Sequence, residues 1–384
     1  MPYFLGFVCL GIGGASFGPA LPHLARSTGV SLSAISSLFV AHRIGFVLGA
    51  LGAGRLYDRV RGHAVFSAAL LVMAAALTAL PSLSRLGVLL GVGFVAGFMA
   101  GGVDVGGNVL LVWRVREGLG PYMSFLHFAF GVGTFLAPVF LAQSVAWTGG
   151  IQWGYVSLAM LTAPIALLAL LRPSPKRVAG AEVRREGPNH VLVGLAAVFL
   201  LLYVAAEVGF GNWIYTYAIE LGLADEVTAG YLTSAYWGAY TIGRLGSVAA
   251  SARLRPLVLL AVGLALASAS VLMLWIAPAG PAVTWIATIL VGAALAPMFP
   301  VMVTFAGERT AITGGVTSLF LVGASLGAMS LPWLIGQAFG RYGPRVVPAA
   351  VFFDLLLLIG VLSFITVRFG GDQNRLAENQ TPKA

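Results

Sequence analysis

The sequence predicts an all-α membrane protein: twelve transmembrane helices in two pseudo-symmetric six-helix bundles. Three observations predict it. Of 384 residues, 59% are hydrophobic and only 9% are charged, against roughly 25% charged in a soluble globular chain. The mean hydropathy is +0.94, and the apolar residues fall into twelve runs near the length of about 20 that spans a bilayer. The longest interruption, RPSPKRVAGAEVRREGPNH at 172–190, is rich in proline and charge and falls midway.

The twelve segments are 3–24, 33–54, 64–82, 86–112, 121–146, 151–171, 191–219, 228–249, 256–276, 281–306, 312–339 and 345–367. The first lacks the basic start of a signal peptide and contains Pro19 and Pro22, so it is taken as a membrane helix. The expected organisation is a bundle at 1–171, a cytoplasmic linker at 172–190, a second bundle at 191–368 and a cytoplasmic tail at 369–384. With both termini inside, the cytoplasmic segments hold 17 of the 22 Lys and Arg, and the outer loops hold Arg26, Arg85, Arg341 and Arg345. That asymmetry sets the orientation. It also accounts for the net charge of +9 without a nucleic-acid partner. The single Cys9 excludes an internal disulfide. The expected surroundings are the lipid bilayer, in the cytoplasmic (inner) membrane if the source is bacterial, with the protein as a monomer.

Two cytoplasmic loops echo each other. Segment 2 ends in Gly54-Arg55-Leu56 with Asp58 and Arg59 following; segment 8 ends in Gly243-Arg244-Leu245 with Arg253 and Arg255 following. The first loop, GRLYDRVRGH, combines a glycine suited to a tight turn, a carboxylate and basic residues at the membrane face. Gly54, Asp58, Arg59 and Arg244 are therefore candidate gating residues.

Ionisable groups inside apolar segments are expensive and mark function. Asp104 lies within GGVDVGGN, with Asn108 one turn further on the same helix face. The pair suits a coupling site: the carboxylate takes a proton or helps coordinate Na+, and the amide supplies a carbonyl oxygen. Arg43 is the expected counter-charge, because counting from the predicted helix ends puts it within roughly 3 Å of the depth of Asp104 at about 1.5 Å per residue. Asn108 again, His127 in segment 5 and Glu207, Asn212 and Trp213 in segment 7 are the expected substrate-binding residues. Amides and an aromatic face suit a sugar, and Gly209 and Gly211 weaken that helix locally. Gln143 ranks lower. Asp354 is expected to be structural, and His42, His23, His63 and His190 are expected to lie away from the cavity.

The loop GRLYDRVRGH resembles the GxLxDRxGR signature of the major facilitator superfamily, with its second glycine displaced. The chain further resembles the fucose:proton symporter branch of that superfamily, and within it the sodium-dependent glucose transporter-like members. Four matches carry this: Asp104 with Asn108; His127 before Phe130, Gly131, Gly133 and Pro138; YVAAEVG at 203–209, where Ala205 replaces a glycine; and Met298-Phe299-Pro300. The resemblance implies a hexose or related sugar as substrate. Fucose-type members carry an aspartate in the first helix, where this chain has none near Gly18. That removes one carboxylate of a two-carboxylate proton mechanism and points toward the sodium-type members.

The function expected is secondary active transport, not enzymatic catalysis: symport of a sugar with Na+ or H+ by alternating access, with no cofactor beyond the coupling ion. The alternative is a proton-driven exporter of small amphipathic or lipid-like molecules. No GxxxxGK[ST] loop supports ATP-driven transport.

Overall fold

The computed structural model describes residues 2–115, 118–175, 189–277 and 280–371. Most of the expected linker and nearly all of the expected tail, at 176–188 and 372–384, lie outside the described residues. The first span is α1 (Pro2–Ala15) with α2 (Phe17–Thr28), bent by 48° between them. Pro19 causes the break: it has no N–H to donate, and its ring crowds the carbonyl four residues back. The second span is α3 (Leu32–Ile35) with α4 (Ser37–Arg59). Next come α5 (Gly62–Ala79), α6 (Leu86–Arg114), α7 (Leu119–Thr148) and α8 (Gln152–Leu170). The second half comprises α9 (His190–Glu220), α10 (Glu226–Ser251), α11 (Pro256–Ile276), α12 (Pro281–Leu295) with α13 (Met298–Gly307), α14 (Gly314–Tyr342) and α15 (Val346–Phe369).

Among the described residues, ten helices qualify as spans by length and apolar character, or eleven with the bent first pair. The twelfth is α10. Its 26 residues reach about 39 Å at about 1.5 Å per residue. Its load of Glu226, Arg244, tyrosines and threonines is that of a helix turned toward a polar seam rather than lipid. An even number of spans places both chain ends on one face, here the terminal face.

Glycine at close contacts sets the helix register. A Cβ at Gly97 or Gly101 of α6 would strike the carbonyls of His42 or Phe46 on α4, and one at Gly45 or Gly49 would strike those of Phe94 or Phe98. The two helices thus pack backbone to backbone through small residues four apart, the arrangement favoured between membrane helices. Likewise Gly133 of α7 abuts the Val8 carbonyl of α1, and Gly327 of α14 abuts the Leu201 carbonyl of α9.

The same contacts reveal the internal repeat. Gly97 meets the His42 carbonyl in the first half as Gly292 meets the Tyr236 carbonyl in the second; Gly49 meets Phe98 as Gly243 meets Ala293. Gly243 therefore corresponds to Gly49, not to Gly54 as the loop echo suggested, and Arg43 corresponds to Trp237. Arg244 is accordingly not a loop residue. It lies inside α10, as the expected segment 228–249 already implies, and only the loop echo set it at a helix end. Gly54, Asp58 and Arg59 also differ from expectation, being in the last turns of α4. Gly54 does not adopt a left-handed turn. The helix persists because Tyr57 anchors it, donating from its hydroxyl to the Gly102 carbonyl at 3.0 Å. His63, expected in a loop, is buried in the first turn of α5. Its Nδ1–H donates to the Arg172 carbonyl at 3.0 Å, so Nε2 accepts from the Tyr3 hydroxyl at 2.7 Å.

The halves meet along a seam closed on the face opposite the termini. There Arg26 pairs with Glu226 at 2.6 Å, and Ser33 donates to the Gln337 side chain at 2.7 Å. Gln337 returns a bond to the Ser33 carbonyl at 3.0 Å. Gly18 lies against the Asn212 backbone, and Gln143 donates to the Tyr231 hydroxyl. Between α7 and α10 the contact continues through Gly230–Pro138 and Gly238–Phe135 to Gly131–Thr241.

Candidate functional site

One turn beyond the Gly131–Thr241 contact, toward the terminal face, stand His127 and Arg244. His127 is exposed; its ring meets Phe7 edge-on at 6.0 Å, and it feels the Arg244 charge across the seam. Phe7 in turn fills the space that a side chain at Gly107 would take. Gly101 against α4 and Gly107 against α1 leave Asp104 projecting between those helices, half-buried. Asp104, Asn108, His127 and Arg244 thus share one tier of the seam.

Asn108 donates its amide to the Asp104 backbone carbonyl at 2.9 Å. That bond fixes the amide and leaves its oxygen as an acceptor beside the carboxylate. Two oxygen ligands on adjacent turns suit a hard cation, and a lone carboxylate suits a proton. Among the described residues no group of three His, Cys, Asp or Glu comes together.

Arg43 departs from expectation. The α4–α6 glycine register sets Arg43 near Ala96, about nine residues from Asp104 along the paired helices, roughly 13 Å at about 1.5 Å per residue. No direct ion pair joins them among the described residues. The error arose because α4 runs past Gly54 to Arg59, so counting from the predicted end misplaced Arg43. Its guanidinium interacts through space with Glu207 first and Asp104 second, and it sits 5.5 Å from the Phe46 ring centroid. Arg43 therefore belongs to a second tier, nearer the closed face.

Glu207 bridges the tiers from α9. Its carboxylate interacts with Arg244, Tyr203, Tyr240 and, across the seam, Arg43. The Tyr203 and Tyr240 hydroxyls lie 2.7 Å apart. Arg244 donates to the Tyr240 hydroxyl and covers its ring at 4.6 Å. Tyr236 donates to the Glu207 backbone carbonyl at 2.8 Å. Two guanidinium cations and two carboxylates thus line the seam and balance in charge.

Trp213 and Asn212 are not in it. Trp213 is fully buried; its indole N–H donates to the Pro332 carbonyl at 2.8 Å and its ring stacks on Phe339 at 5.1 Å. Asn212 donates to the Val208 carbonyl at 2.9 Å, and its backbone packs on Gly18. Both residues are on the turn of α9 that closes the seam, not on the turn that faces it. Sequence reasoning missed Tyr236, Trp237 and Tyr240. Their spacing with Arg244 on a single helical stripe was the available signal.

Two helical bundles enclosing a charge-lined seam, closed at one end, define a secondary membrane transporter. The sequence matches the Major Facilitator Superfamily over residues 3–332, and the chain belongs to that family. It is similar to the sodium-dependent glucose transporter 1 of Xenopus laevis, 28% identical over 85% of this chain and 73% of that one. It is also similar to the sodium-dependent glucose transporter 1A of Mus musculus, 27% identical over 88% of this chain and 89% of that one. The fold resembles the crystal structure of the nucleoside transporter NupG, with a TM-score of 0.73, 14% identity and coverage of 96% and 98%. It also resembles that of a D-xylose-proton symporter, with a TM-score of 0.72, 15% identity and coverage of 93% and 95%.

Proposed function

We propose that this protein carries out cation-coupled symport of a sugar, in the hexose class, by alternating access between two six-helix halves at 1–171 and 191–368. Both termini and the 172–190 linker face the cytoplasm, so the closed face is the outer one and the seam opens inward. The observation that carries the proposal is Asp104: a half-buried carboxylate with no direct ion pair among the described residues, beside the free amide oxygen of Asn108. The named activity of the glucose transporter relatives supports the substrate class.

A coupling ion can drive uptake only by binding the alternating states with different affinity. Asp104 and Asn108 hold the cation, Na+ or H+. Arg43 acts on that site and on Glu207 through its field, and movement of the halves changes the distances between these charges. His127 and Glu207 face the substrate. Gly54, Asp58 and Arg59 close the cytoplasmic end of α4.

One observation favours the second reading, export of an amphipathic solute. A cleft of about 180 Å³ between α4 and α14 is lined by Ile44, Val47, Leu48, Val322 and Leu326 and reaches Arg43. An apolar tail would fit there. Purified protein in liposomes separates the two readings: hexose uptake driven by an inward Na+ or H+ gradient supports symport. Uptake of no hexose under either gradient, with efflux of a lipid-like solute, rejects it.

A further inference from the structure

Buried polar atoms normally find partners, and an unpaired N–H costs enough to need a reason. Among the described residues, several buried polar atoms have none. Four are hydroxyls, of Thr216, Ser234, Ser268 and Thr288, which can rotate toward a nearby carbonyl. Asp354 contributes one carboxylate oxygen within the packing of α15, and Arg309 one guanidinium nitrogen remote from the seam beside Phe305. The remaining two are the indole N–H of Trp237 and the Nε–H of Arg244. These are rigid donors that cannot accept, and both belong to the seam stripe of α10.

Their placement is specific. Trp237 is 6% exposed. Its ring lies 5.7 Å from the Tyr240 ring, and the Arg244 guanidinium lies 4.6 Å from that same ring. The two donors therefore flank one phenol. The indole edge carrying the N–H is held against Gly211, where a Cβ would come within 2.7 Å of it. Glu207 is one turn away on α9, its carboxylate bonded to the Tyr203 and Tyr240 hydroxyls and within the field of Arg244. By the internal repeat Trp237 occupies the position in its half that Arg43 occupies in the other.

We infer that Trp237 and Arg244 are specificity-determining residues that donate hydrogen bonds to two oxygens of a hexose, with Glu207 accepting from one of its hydroxyls. This rests on the symport reading. A cyclic polyol supplies acceptor oxygens on several sides of one ring, matching two donors and one acceptor gathered about a single aromatic face. Both donor atoms are buried and unpaired in the sugar-free structure, so movement of the halves brings substrate to them. A site built to hydrogen-bond a hydroxyl rejects an analogue that lacks it.

The experiment measures uptake kinetics in liposomes for the transported hexose and its series of monodeoxy analogues. Trp237→Phe removes the N–H and keeps the ring; Arg244→Lys removes Nε–H and keeps the charge. Cooperative melting in detergent reports folding, and if one variant fails to fold the other carries the test. The expected result is a rise in KM of about 10-fold or more, with maximal rate largely retained. In addition, one monodeoxy analogue for each variant should be handled equally by variant and unmodified protein. An unchanged KM in the folded variants overturns the inference, as does an equal loss across all analogues; both leave the symport reading standing. Absence of hexose uptake by the unmodified protein overturns both.

Discussion

Gly18 gives the most direct mechanical test of how the outer seam closes. A Cβ there would lie 2.8 Å from both the Cα and the carbonyl oxygen of Asn212, where carbon atoms prefer about 3.5–4.0 Å. Both neighbours are backbone, so neither can rotate away. Gly18→Ala must push α2 from α9 by roughly 0.7–1.2 Å on that estimate. Such overpacking costs about 1–3 kcal/mol, but only in the state in which the halves touch there. The outward-open state does not feel it. The equilibrium should therefore move toward outward-open by roughly 5-fold to 150-fold, at about 1.4 kcal/mol per tenfold. Spin labels at Ser31 and Gly340, both exposed on the closed face, with Cys9→Ser as background, report the separation across the seam. The expected result is a longer-distance population in Gly18→Ala that is minor or absent in the parent. An unchanged distance distribution in a folded Gly18→Ala protein would refute the reasoning.

Further expectations follow from other contacts. The Arg26–Glu226 pair is 62% and 31% exposed, so it should contribute less than about 1 kcal/mol to closure. Glu226→Gln should shift the same spin-label distribution only slightly, and exchanging the two charges should restore it. Gly327→Val forces a branched side chain onto the Leu201 carbonyl; it should destabilise the second half by about 1–3 kcal/mol, seen as a lower melting temperature in detergent. Tyr3→Phe removes the bond to His63, and a loss near 1 kcal/mol is expected in the same assay. Asp225 caps α10 by accepting from the Thr228 N–H at 2.7 Å, which holds its carboxyl below the ordinary value. The cap's ionic contribution is complete above the ordinary carboxylate range and fades as pH falls through the lowered value. Asp225→Asn keeps a cap and should remove that part of the acid-side loss of stability.

Much of the fold could be read from the sequence because membrane spans declare themselves by length and apolarity. The exceptions share one physical cause. Wherever a helix faces the seam it carries polar residues, and hydropathy then ends it too early. Hence hydropathy ends α4 at Gly54 rather than Arg59 and gives Arg43 the wrong depth. The carboxylates Asp104 and Glu207 were recognisable because charge inside an apolar run is conspicuous. Trp213 was misjudged for the opposite reason. An indole near a glycine pair looks like a sugar platform, and only the packing against Pro332 and Phe339 shows that its N–H is already engaged. The stripe Tyr236, Trp237, Tyr240 and Arg244 was overlooked because aromatic residues at helical spacing are so common in membrane cores.

The central claim is that the Asp104 carboxylate binds the ion whose gradient drives accumulation. The decisive measurement compares, in one liposome preparation, gradient-driven accumulation with substrate exchange at equilibrium for Asp104→Asn. Exchange should persist while accumulation falls to the equilibrium level under both Na+ and H+ gradients. Accumulation matching the unmodified protein would contradict it.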